Sequence, residues 1–107
     1  MILEITPGAE LPDRTIIWQE ADGTPVNFAT SPHTFSLIIA FKNGDVPAPV
    51  TKSAGISGAA DGTVTIAFAA AETNTFPLGH WPARLWAKRT ADNKDREPVR
   101  LDVHVQA

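Results

Sequence analysis

Three histidines, four serines and twelve carboxylates are the residues of this chain with side chains able to carry catalysis or bind metal, and their spacing decides how they read. His33, His80 and His104 lie far apart, with no His-x-His or His-Glu-x-x-His pattern. There is no cysteine, so a zinc site would have to recruit carboxylates from distant loops. Surface histidines are the expected reading. A serine nucleophile needs a base and an orienting acid. Of Ser31, Ser36, Ser53 and Ser57, only Ser57 approaches a nucleophile elbow, and Gly55-Ile56-Ser57-Gly58 is one residue short of it. Asp22, Asp45, Asp61, Asp92 and Asp95 cluster in turns, where an Asp side chain bonds nearby backbone and needs no catalytic explanation. Asp92-Asn93-Lys94-Asp95 has a lysine inside it and no acidic twelfth-position ligand, against a calcium loop. No glycine-rich phosphate loop opens a helix. The expectation is a protein without catalytic residues, cofactor or metal.

The tryptophans are more informative. Trp18 and Trp81 fit inward positions of strands. Trp86 alternates with Leu85 and faces outward, flanked by Arg84 and Lys88. An outward aromatic between cations on a β-face suits a protein contact or sugar stacking. The competing explanation is cover by a loop or by arginine stems. Ile38, on the second face of the longest strand, extends the same apolar patch. Arg84, Trp86, Lys88 and Ile38 are therefore the candidate partner-binding residues.

The elements that position these residues follow from periodicity. Val64, Ile66 and Phe68 alternate with Thr63, Thr65 and Ala67, which gives a strand one apolar face. Ala69 to Thr73 breaks that period with good helix formers, and Pro77 with Gly79 stops the turn. Trp81, Ala83, Leu85 and Ala87 then share one side of a further strand. Upstream, Ile2 to Ile5 reads as an edge strand or arm ended by Thr6-Pro7-Gly8, and Thr15 to Gln19 as a strand closed by Asp22-Gly23. Val26 and Phe28 form a short return segment. Thr34 to Lys42 is the longest strand, apolar on both faces and so central. Pro47 and Pro49 restrict Val46 to Lys52 to a sheet edge, and the small polar run Ser53 to Gly62 reads as a mobile loop. Glu97 to Val105 is the last strand. About seven strands at regular spacing with one short helical turn predict an all-β antiparallel sandwich, with residues 1–12 as N-terminal arm or edge strand and 13–107 as its single domain. The expected core is Ile5, Ile16, Trp18, Val26, Phe35, Leu37, Ile39, Phe41, Val64, Ile66, Phe68, Phe76, Leu78, Trp81, Leu85, Val99, Leu101 and Val103.

Composition agrees with one folded domain: 107 residues, 43% hydrophobic and 20% charged. The N-terminus lacks the basic and apolar regions of a signal peptide, and no apolar run approaches the roughly 20 residues that span a bilayer. Net charge is −3, distributed unevenly. Residues 1–83 carry three basic against eight acidic side chains, and residues 84–107 six against four. The basic cluster is interleaved with Asp92, Asp95, Glu97 and Asp102, which argues against nucleic-acid binding and for a solvated hairpin, while the unlike charge of the two ends suits oriented packing against a partner.

The order of pieces resembles a family of phage-encoded Ig-like virion domains, found at the N-terminus of baseplate upper proteins and as small stand-alone virion proteins. The residues that carry the resemblance are Trp18 to Phe28 (WQEADGTPVNF), Gly62 to Phe68 (GTVTIAF) and Ala70 to Trp81 (AAETNTFPLGHW), followed by the Arg84 to Val105 hairpin. It runs from about residue 14 to the end. Trp81 stands where the family usually has Tyr, and Pro82 interrupts a strand that is usually unbroken. The resemblance implies an Ig-like sandwich and a structural role in the virion, as capsid decoration protein or tail or baseplate component. The implied partners are other virion proteins, major capsid or tail proteins, with the chain in many copies or as a homo-oligomer, and with neither nucleic acid nor membrane bound. It also implies assembly in the host cytoplasm and localisation in the particle. A 107-residue chain with an initiator Met is expected to be a complete stand-alone subunit. The alternative class is a sandwich module that recognises a carbohydrate or cell-surface receptor through Trp86.

Overall fold

The computed structural model describes residues 2–9, 13–96 and 98–106. Ten strands and one helical turn follow in order: β1 (Ile2–Ile5), β2 (Arg14–Ile17), β3 (His33–Ile39), β4 (Lys42–Asn43), β5 (Val46–Pro47), β6 (Val50–Lys52), β7 (Ile56–Gly58), β8 (Thr63–Ile66), α1 (Ala70–Thr73), β9 (Gly79–Arg89) and β10 (Val99–Val105). A five-stranded sheet in the order β1-β10-β9-β3-β6 packs over a three-stranded sheet in the order β2-β8-β7, and β4 and β5 form a separate small hairpin. The fold is an Ig-like β-sandwich. Its strand pairs are antiparallel except for β1, which runs parallel to β10 with Leu3 opposite Val103.

The inner face of the large sheet is built by the predicted alternation. Leu37 and Ile39 of β3, Leu85 of β9 and Val103 of β10 are fully buried, facing Val64 and Ile66 of β8. Each such side chain contributes on the order of 1.5–3 kcal/mol. The small sheet is short, so segments outside the strands help complete the core: Trp18, Val26, Phe28, Phe41, Phe68 and Phe76 are all buried. The core extends beyond the expected residues to Leu3, Phe28, Ala83, Ala87 and Val105. Ile2–Ile5 is thus an integral edge strand, since it places Leu3 and Ile5 inside the sandwich. The expected element boundaries at residues 10–12 and at Glu97 lie outside the described residues.

Three expectations are corrected. Leu78 is not core but 60% exposed. Trp81 takes the end of the sandwich instead: its indole N–H donates to the Pro77 carbonyl at 2.9 Å and its ring meets Phe41 edge-on at 5.7 Å, leaving Leu78 turned outward. Trp81 itself is half-buried at this rim. The run Ser53 to Gly62 is not all loop, because Ile56–Gly58 is strand β7, paired with β8. Gly58 lies against Phe28, and a Cβ there would sit 2.7 Å from the ring. The small residues of this segment let a strand approach an aromatic. Pro82 does not break β9 either. The Pro82 carbonyl accepts from the Ala40 N–H at 2.9 Å, so its ring nitrogen faces that same side, just beyond the end of β3. The missing donor falls where the ladder stops.

The helical turn α1 tethers both the chain start and a buried lysine. Thr73, fully buried, accepts from the Gly8 N–H at 3.1 Å and donates to the Ala70 carbonyl at 3.3 Å. Glu72 accepts from the Ala69 N–H through Oε1 at 3.0 Å and from Lys52 Nζ through Oε2 at 2.6 Å.

Candidate functional site

Period-two alternation on β3, β9 and β10 sends one set of side chains to the core and the other to the outer face of the large sheet. Register then decides which outer side chains meet. On β9, the central strand of the five, Arg84 pairs with Ile38 of β3, Trp86 with Ser36 and Lys88 with Thr34. The four candidate residues therefore share one face: Arg84, Lys88 and Ile38 exposed and Trp86 half-buried. Trp86 stands between two open depressions. One, of about 480 Å³, has Ile38, Ala40 and Pro82 as its apolar lining and Arg84 and Arg100 as its charged lining. The other, of about 340 Å³, lies toward Thr34, Ser36, Lys88 and Asp95.

Arg100 was not among the candidates. Sequence alone puts it on the outward face of the last strand, but only the β9–β10 register makes it the direct partner of Arg84. The same register pairs His80 with His104, whose rings stack at 4.0 Å and 10°. Asp102 sits beside them, with Oδ2 at 3.4 Å from His80 Nδ1. Among the described residues, no group of three or more His, Cys, Asp or Glu is arranged to hold a metal ion.

The third histidine is structural. Arg96 Nε donates to His33 Nε2 at 2.9 Å and Arg96 Nη1 to Glu20 at 3.0 Å, while His33 Nδ1 lies 2.6 Å from the Ser31 carbonyl. With Nε2 accepting, the ring proton belongs on Nδ1, donated to Ser31. This chain of contacts ties β3 to the segment before β10 and uses the imidazole as a strut. Ser57 lies on β7 within the paired small sheet.

Three of the five turn carboxylates, Asp22, Asp61 and Asp92, accept from nearby backbone, as their positions predict. Asp22 accepts from the Thr24 N–H at 3.0 Å and Asp61 from the Thr63 N–H at 3.0 Å. The Thr24 N–H and then its hydroxyl hold Asp22 below the usual carboxylate range; at Asp61 the Thr63 hydroxyl leads and its N–H follows. Asp92 is occupied by the Lys94 N–H at 3.2 Å and by Arg89 at 3.5 Å. Chemically, the outer face offers an aromatic ridge, an apolar floor and cations. That set suits recognition of another surface.

No family model and no curated protein matches the chain. Among solved structures, the chain is similar to the NK cell receptor NKp44, described as a triggering partner in natural cytotoxicity. The alignment covers 98% of this chain and 96% of that one, at 16% identity and a TM-score of 0.42.

Proposed function

We propose that this chain is a non-enzymatic bacteriophage virion structural protein, a capsid decoration or tail or baseplate component that acts through protein–protein contacts made by the outer face of its large sheet. The virion assignment rests on the motif order from Trp18 to Trp81 described above. The observation that carries the contact surface is Trp86, half-buried on the central strand, with Ile38 on the neighbouring strand and Arg84 and Lys88 on either side. A rigid aromatic at the centre of a face, ringed by residues that exclude water, is the arrangement that concentrates binding energy in protein interfaces. Other virion proteins, capsid or tail, are the partners, with this chain present in many copies. The test is mass spectrometry of purified particles: the chain should co-purify at a fixed stoichiometric ratio to the major capsid or tail protein. Its absence from particles would remove the assignment.

A second reading has its own observation. A tryptophan between two open depressions also suits a sugar ring stacked on either side. Glycan-array binding that disappears in Trp86→Ala, in a chain absent from particles, would favour a carbohydrate- or receptor-binding module.

A further inference from the structure

Arg84 and Arg100 are direct cross-strand partners on the outer face, and both are exposed. Like charges placed opposite each other on a sheet destabilise it. The ion pairs found among the described residues include neither guanidinium. Asp102, two residues along β10 from Arg100, is turned to His80. Both arginines line the depression of about 480 Å³ that also contains Ile38, Ala40, Pro82 and Trp86. The fold thus holds two adjacent cations, with no partner among those ion pairs, beside an apolar floor.

We propose that Arg84 and Arg100 form a carboxylate clamp, and that the partner protein docks by inserting an acidic side chain next to an apolar one. This rests on the contact-surface reading above and names the chemistry of what that surface takes. A guanidinium fork matches the two oxygens of a carboxylate, and two forks from neighbouring strands can hold one carboxylate from both sides. The apolar floor and the Trp86 ring receive the adjoining hydrophobic group and keep water from the ion pair. A polyanion fits less well. Nucleic acid calls for a basic stripe, whereas residues 1–83 carry eight acidic side chains against three basic ones. A partner carboxylate would also relieve the Arg84–Arg100 repulsion, so binding removes a strain that the free domain carries.

The test uses the whole chain, isotope-labelled for NMR, with 3-phenylpropionate as the probe and its neutral amide as control. Saturable shifts are expected at the Trp86 indole and at the Arg84 and Arg100 Nε resonances with the acid and not with the amide. Affinity should fall about tenfold or more in Arg100→Gln. The same variant should melt a few degrees higher than the parent, because it loses the cross-strand repulsion. Equal shifts with the amide, undiminished binding by Arg100→Gln, or a lower melting temperature for that variant would each overturn the clamp. Particle incorporation separates the two readings. Arg100→Gln incorporated as well as wild type overturns the clamp alone, whereas wild type absent from particles overturns the virion assignment and leaves the probe titration to decide the clamp.

Discussion

Lys52 Nζ lies 2.6 Å from Glu72 Oε2, with the lysine side chain 4% exposed and the carboxylate at the rim of the sandwich. The ammonium also sits 5.1 Å from the centre of the Phe68 ring. A cation in that position depends on its one carboxylate. Glu72→Gln should therefore destabilise the domain by roughly 1–3 kcal/mol, because it leaves a buried charge without its counter-ion. Lys52→Met should cost less, since a released Glu72 can be solvated. Denaturant titration of both variants checks the asymmetry.

The same pair predicts an acid-side slope. Burial pushes the Glu72 carboxyl up, but the Lys52 hydrogen bond, the Ala69 N–H and the Lys52 charge together hold it below its ordinary value of 4.5. The unfolded chain then binds more protons than the native one in this window, so stability rises with pH. The contribution is complete above about pH 4.5 and disappears as pH falls through the lower native pKa. Melting curves between pH 6 and 3 should fall more steeply for wild type than for Glu72→Gln. Parallel curves would contradict the assignment.

The chain start is part of the core. Leu3 is fully buried where β1 lies parallel to β10, so Leu3→Ala should destabilise by about 2–5 kcal/mol, a large share of the roughly 5–15 kcal/mol of a typical domain. Calorimetry of the variant is the measurement. A change below 1 kcal/mol would mean that β1 is detached in solution.

Neighbouring residues on β9 should behave in opposite ways. Leu85 points into the core, and Leu85→Ala should lower stability by about 2–5 kcal/mol. Trp86 points outward, and Trp86→Ala should change stability by no more than about 1 kcal/mol while weakening partner binding. Chemical denaturation of the two variants, beside particle incorporation of Trp86→Ala, checks both.

Much of this arrangement is legible in the sequence because it follows local periodicity. The alternations on β3, β8, β9 and β10 assign inward and outward faces correctly, and the Ala-Glu turn before Phe76 is where α1 forms. That Arg84, Trp86, Lys88 and Ile38 share a face also follows from period two plus the pairing of two long strands. What local pattern misses are contacts made at a distance. The small residues around Gly58 look like loop until Phe28, thirty positions earlier, is seen to need their flatness. Lys52 looks like a solvated cation at a proline-broken edge until Glu72 and Phe68 arrive beside it. Arg100 becomes a neighbour of Arg84 only through the β9–β10 register, which no local pattern on either strand sets. Leu78 is the reverse case: its hydrophobicity predicts burial, but Trp81 reaches the same end of the sandwich and bonds the Pro77 carbonyl.

We propose that the outer face of the five-stranded sheet, centred on Trp86, is where this chain meets other virion proteins. A cryo-EM map of the intact particle tests it most directly. Density for this chain is expected with Trp86, Ile38, Arg84 and Arg100 buried against a neighbouring protein and a carboxylate between the two arginines. A map in which the chain is anchored by its small sheet, with the Trp86 face open to solvent, would contradict it.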